Sequence, residues 1–271
     1  MTSEIYIPGF TVTCLLITSI ICIVAVLVAW YTVRSRVKFS QIILGAFSYV
    51  LVMLLENVLH LTAPAVSASG FVFAIYITLS MVVARETIRF LAMMFGVKAN
   101  FSNTDASVGF ALGFAGMYLL ICGAYYFNCY TTATEYVKTG MDAFVANTGS
   151  DAEEALTLLG SIAAQSGWQF VCTGVNRVMF LVREIALCVL IWYALTQEQK
   201  QYYLLVPLMS LAAFLPDGLY QAEVLTSSYA KDLITVAVSA GIAFLAARQY
   251  NAREDQVAHF QIERLRARKR R

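Results

Sequence analysis

The sequence predicts an all-α, polytopic membrane protein, a bundle of about seven transmembrane helices. Three observations predict it. Of 271 residues, 59% are hydrophobic and only 13% charged, with a mean hydropathy of +0.69, a composition soluble domains rarely show. Apolar stretches of about 20 residues or more recur along the whole chain, long enough for helices to cross a bilayer and too long for barrel strands. The basic residues that lie outside these stretches fall almost entirely in alternate connections between them.

The first span is expected over residues 8–33. It opens near Glu4 rather than on a basic segment and lacks a small-residue cleavage pattern, so it reads as a retained helix and not a removed signal peptide. The second span covers 41–61 and ends before Thr62-Ala63-Pro64; the third covers 70–95, and the fourth 107–127. A polar segment, 128–167, comes next and carries Asp142, Asp151, Glu153 and Glu154 against Lys138. Within it, Ser150 and Asp151 are candidate N-caps ahead of Glu153 and Glu154, which predicts a short helix outside the bilayer over 151–164. The fifth span covers 168–196, the sixth 202–224 with Pro207 and Pro216 inside it, and the seventh 233–248. Residues 1–250 then form one transmembrane domain, and 251–271 a basic tail.

The connections after spans one, three, five and seven hold Arg34, Arg36, Lys38, Lys98, Lys200, Arg248, Arg253 and the tail residues Arg264, Arg266, Arg268, Lys269, Arg270 and Arg271. The opposite side holds Lys138 and Lys231. Cytoplasmic loops carry the excess of Lys and Arg, so the N-terminus is expected outside and the tail in the cytoplasm. The tail reads either as a solvated topology signal or as a contact for anionic lipid.

Six cysteines (Cys14, Cys22, Cys122, Cys129, Cys172, Cys188) show no paired-knuckle spacing and read as buried apolar residues. Cys129 and Cys172 flank the outer segment, which leaves a disulfide between them open. That His60 and His259 are the only histidines argues against a His-rich metal site.

Charged groups at membrane depth cost about 3 kcal/mol or more each and face the interior of a bundle, where they find partners. Here Glu56, Asn57 and His60 lie in the second span, Arg85, Glu86 and Arg89 in the third, Asn176, Arg177, Arg183 and Glu184 in the fifth, and Asp217 beside Pro216 in the sixth. Glu86 and Arg89, three apart, can pair along one helix. Arg177 and Glu184 are seven apart and share a face, as do Asn176 and Arg183. Pro216 removes a backbone hydrogen bond, and broken backbone is tolerated at depth only against protein or a wet cavity. A polar interior shared by spans two, three, five and six follows. It reads either as a catalytic or transport cavity or as an ion-pair network that holds helices together.

Taken in order, Gly45-Ala46-Phe47-Ser48, Ala84 to Phe90, Gly109 to Gly116, Asn176 to Leu190 and the Pro216 region resemble the YhfC family of intramembrane metalloproteases, distant relatives of the glutamic-type CAAX-prenyl membrane proteases. The resemblance implies a seven-helix membrane protease of a bacterial cell membrane, with catalytic positions at Glu86, Glu184 and Asp217. The departures from the family pattern are concrete. Its Glu-Glu-x-x-Arg becomes Arg85-Glu86 with Arg89. Its span-four His and Glu fall on Phe114 and Tyr118. Later His positions fall on Glu184 and Asp217.

A catalytic metal needs about three protein ligands and an open position. Glu86, Glu184 and Asp217 could form an all-carboxylate site, better suited to a hard cation than to zinc. Arg85 beside Glu86, however, brings a fixed positive charge to where a metal would sit. It is expected to pair with these carboxylates within an ion-pair network of Glu56, Arg85, Arg89, Asn176, Arg177 and Arg183. The expectation is a pseudoprotease without a cofactor that acts as a membrane binding or assembly subunit. Its partners would be the bilayer and a membrane protein or peptide, with no nucleic acid. An active enzyme using a divalent metal is the alternative, and a small transporter component a weaker one, since no inverted repeat or paired broken helices are visible. A retinal protein would need a Lys near the middle of its last span, whereas Lys231 is expected at the outer edge of the seventh, next to Asp232.

Overall fold

The computed structural model describes residues 5–61, 70–98, 104–196 and 199–269, with side chains as far as 251. Thr62-Ala63-Pro64 and the side chains of the tail lie outside the described residues. Among the described residues the chain is helical throughout: α1 (Gly9–Val33), α2 (Phe39–His60), α3 (Gly70–Leu91, continued by a π-helical turn Ala92–Val97), α4 (Asp105–Thr139), α5 (Met141–Thr148), α6 (Ala152–Ala163), α7 (Gly167–Thr196), α8 (Tyr202–Gln221) and α9 (Ser228–Lys269). Seven of these, α1 to α4 and α7 to α9, are long and apolar enough to cross a membrane, and in α9 that part ends at Asn251. The protein is a multi-pass membrane protein.

Their arrangement follows from where each helix is apolar all round. α4 and α7 are the most deeply buried spans, and α7 is continuously buried from Ala186 to Leu195. A helix buried on every side belongs at the centre of a bundle. α1 and α2 pack against α4, while α9 and α1 pack against α7; α3 sits between α2 and α8. The remaining faces of α1, α2, α8 and α9 show large apolar side chains such as Leu27, Phe47, Leu204 and Phe244 at the surface, as a lipid-facing exterior requires.

Lipid tails are as apolar as Leu, so helices in a membrane associate by close packing of small residues. The crossing of α2 and α4 does this at Gly45 and Gly113. A Cβ added at Gly45 would meet the Phe114 backbone nitrogen at 2.7 Å, and one added at Gly113 would meet the Ile42 Cα at 2.9 Å, with a carbonyl oxygen closer still in both cases. Gly45 and Gly113, each within a stretch that carries the resemblance, are therefore places where backbones touch.

The polar segment departs from expectation. The fourth span does not end at Phe127: α4 runs on to Thr139 and stops at Gly140, whose positive φ of 77° is a conformation that glycine adopts readily. The extension is amphipathic. Tyr126, Cys129, Ala133 and Tyr136 recur at helical spacing and are buried, while Thr131, Glu135 and Lys138 are exposed. Hydropathy alone ends the span too early because only one face is apolar. α5 and α6 fold back over this extension, and Phe144, Leu159 and Ile162 join Ile7, Tyr136 and Phe170 in a second core. Asp151 stands at the N-cap of α6 as expected, but its side chain makes no capping hydrogen bond, and Ser150 Oγ bonds to Asp151 Oδ1 at 3.1 Å instead. All six cysteines are free thiols, so Cys129 and Cys172 form no disulfide.

Gly113→Ala places a methyl group against the α2 backbone, whereas the exposed helical Gly160 has nothing within 4 Å of such a group. Thermal unfolding in detergent should show Gly113→Ala markedly destabilised. Gly160→Ala should be neutral or gain up to about 1 kcal/mol from helix propensity.

Candidate functional site

The polar interior lies where α3, α7 and α8 meet, with α2, α4 and α9 closing it. α3 presents Arg85, Glu86 and Arg89 inward, all three buried. The Arg89 guanidinium, with no exposure, bridges two carboxylates: Nη1 donates to Glu86 on its own helix, and Nη2 donates to Glu184 on α7, also wholly buried. Ser210 Oγ on α8 donates to the same Glu86 oxygen. Arg183 Nε lies 3.7 Å from Glu184 Oε1, an attraction by charge without a hydrogen bond. One guanidinium thus ties α3 to α7, and Ser210 adds α8. Planar, permanently charged Arg suits this bidentate role, and a Lys would not replace it.

The i, i+3 pair of Glu86 and Arg89 is as the spacing predicts. The place of Arg85 is not. It was expected on Glu86 and Glu184, and Arg89 holds that position. α2 runs antiparallel beside α3, which sets Glu56 level with Arg85, and Arg85 Nε donates to Glu56 Oε1 at 2.7 Å. Arg89, one turn further along, reaches α7. Around Arg85 the guanidinium carbon stands 4.7 Å from the Phe214 ring centre and 5.3 Å from that of Phe180. Arg183 lies 4.4 Å and 4.9 Å from the same two rings. Arg177 on α7 donates to the Tyr118 hydroxyl on α4 and lies over its ring, and Phe114 faces Arg89 at 5.4 Å. Such contacts each contribute up to about 2 kcal/mol when desolvated.

Asp217 also departs from expectation. It does not complete a carboxylate trio with Glu86 and Glu184; its Oδ1 lies 3.7 Å from Lys231 Nζ on α9. Lys231 is in turn 3.1 Å from Asp232 Oδ1, and Asn176 Nδ2 donates to that same oxygen at 2.8 Å. Lys231, Asp232 and Ser210 are site residues that sequence reasoning missed, and Tyr118, named only as a substituted family position, joins them. Starting the seventh span at Leu233 left the first two outside the membrane. α9 in fact begins at Ser228, and the Ala230 amide donates to Ser227 Oγ at 3.3 Å. The paired serines ahead of Tyr229 were the available start signal.

Residues 19–235 match the family described as YhfC intramembrane metalloprotease. The chain belongs to the YhfC family. No curated protein and no solved structure matches it. The family's description implies a catalytic metal, and the interior of this YhfC protein does not fit one. Among the described residues no group of three or more His, Cys, Asp or Glu is placed to hold a metal ion. Glu86 and Glu184 are both taken by Arg89, and Asp217 faces Lys231. Arg85, Phe114 and Tyr118, where the resemblance places further acidic or imidazole groups, bring a cation and aromatic rings instead.

Removing one partner of a buried ion pair costs about 3–5 kcal/mol, because the other charge is left unpaired. Glu184→Ala in this YhfC protein should lower stability by that order in detergent melts. Arg89→Met combined with Glu184→Ala should lose clearly less than the sum of the two single variants, since the two groups share one interaction.

Proposed function

We propose that this YhfC protein is a catalytically silent member of its family, a membrane binding or assembly subunit whose former reaction centre is an ion-pair lock. The observation that carries the proposal is the Arg89 guanidinium lying between Glu86 and Glu184. A hydrolytic metal would need both carboxylates free and an open position for water. In this reading Glu86, Glu184 and Asp217 serve architecture and not turnover, and the partner is another membrane protein or a membrane peptide.

One observation favours the second reading, an active protease that uses carboxylates. Glu86 also lines a cleft of about 400 Å³ between α3, α7 and α8, walled by Phe90, Ile191, Tyr203 and Pro207. A peptide entering from the membrane would meet Glu86 there. The purified protein separates the two readings. The silent reading expects substoichiometric divalent metal by elemental analysis and no cleavage of membrane-embedded peptides. Chelator-sensitive cleavage that disappears in Glu86→Gln would establish the active one.

We also propose that the N-terminus and the α5–α6 cap face outward and that the end of α9 is cytoplasmic. The basic connections Arg34 to Lys38, Lys98 and Lys200 all stand at one end of the bundle, opposite the acidic cap. An impermeant maleimide added to intact cells should label Ser150→Cys well above the unmodified protein. Labelling that requires lysis would reverse the orientation.

A further inference from the structure

A cavity of about 210 Å³ lies between α3, α4, α7, α8 and α9, separate from the Glu86 cleft. Arg85, Arg177 and Arg183 line it, with Tyr118, Asn176 and Asp217. It reaches the end of α8, where Gln221 on its wall is exposed. Three guanidinium groups therefore face one carboxylate, and that carboxylate already has Lys231 beside it.

The hydrogen-bond inventory sharpens this imbalance. Arg85 Nη1, Arg177 Nε and Arg183 Nη1 are buried and have no hydrogen-bond partner. Arg85 and Arg183 are 6% and 1% exposed, so bulk water does not compensate them. Arg177 forms no ion pair among the described residues; its partner is the Tyr118 hydroxyl. A buried donor without an acceptor is costly, more so when it is charged. The donors come from three separate forks on two helices. A carboxylate has two oxygens and is satisfied by one fork, whereas a tetrahedral oxyanion offers several oxygens in different directions and suits Arg clusters. The volume admits such a group and falls below the roughly 300–1,000 Å³ of drug-sized ligands.

We propose that this cavity is a binding site for a phosphate group, either inorganic phosphate or the phosphate of a lipid headgroup. The inference goes beyond the silent-protease reading and does not depend on it, because the cavity excludes Glu86 and Glu184. Arg85, Arg177 and Arg183 would supply the charge-assisted donors. Asn176, whose Nδ2 is held by Asp232, positions the α7 side of the cavity. Asp217 opposes the anion and limits its affinity.

The test uses the full-length protein in detergent and in nanodiscs. Inorganic phosphate should raise the melting temperature saturably, beyond chloride or nitrate at equal ionic strength. Arg177→Gln, which breaks no ion pair, should weaken phosphate binding by about tenfold or more, the loss expected for one charged hydrogen bond. Asp217→Asn should tighten binding several-fold, a gain that misfolding cannot produce. In the second arm, the detergent-purified protein is reconstituted in nanodiscs of phosphatidylcholine with or without phosphatidic acid. Stabilisation by phosphatidic acid that needs Arg177 and is absent with free phosphate assigns the lipid source; response to free phosphate in detergent assigns the soluble one. A phosphate effect no larger than that of chloride, together with no dependence on phosphatidic acid, overturns the proposal. So does a response to either probe that Arg177→Gln leaves unchanged.

Discussion

The bundle depends on one buried guanidinium. Arg89 is the contact through which α3 engages α7 by charge, and α7 is the helix around which the other spans are packed. In a membrane the hydrophobic effect does not draw helices together, so packing and interhelical polar contacts decide which faces meet. A fully buried Arg is tolerable only with acceptors in place, and Glu184, Glu86 and Ser210 supply these through α7, α3 and α8. The same contact ties three helices together and occupies both Glu86 and Glu184. Structure and chemistry therefore compete for the same atoms: the carboxylates that a metal would need are the ones that Arg89 holds.

The seven spans were legible from hydropathy, because a helix crossing lipid must be apolar over most of its length whatever it packs against. Local pairs were legible for the same kind of reason: Glu86 and Arg89 are neighbours in any helix. What the sequence withheld is which helix stands beside which. Arg85 and Arg89 look equivalent at a spacing of four, yet one meets α2 and the other α7, and only the packing of α3 between its neighbours separates them. The extension of α4 was hidden for another reason. A helix that rests on other protein along one side needs only one apolar face, and Tyr126, Cys129, Ala133 and Tyr136 supply that face while the average hydropathy falls.

The resemblance behaved in a related way. Two of its glycines are found at backbone crossings, Gly45 against Phe110 and Gly113 against Ile42. Its polar positions Glu86, Arg89 and Glu184 lie in the shared interior that the intramembrane charges predict. The identities at those positions determine the chemistry, and here they reverse its sign. With Arg85 and Tyr118 where acidic residues are expected, the interior holds fixed cations over aromatic rings, and a ring face attracts a cation without neutralising it.

That distinction explains how an interior with matched charges can still be locally positive. The interior cations Arg85, Arg89, Arg177, Arg183 and Lys231 are equal in number to the carboxylates Glu56, Glu86, Glu184, Asp217 and Asp232. The sharing is unequal. Arg89 takes Glu86 and Glu184, and Lys231 takes Asp217 and Asp232. Arg177 is left with a neutral hydroxyl and Arg183 with a carboxylate 3.7 Å away. Both cations gather on the wall that Arg85 shares. The field in the cavity is thus set by how the pairs are divided and not by the total, and two helices tied by doubly engaged cations leave the third side of the bundle with charge to spare.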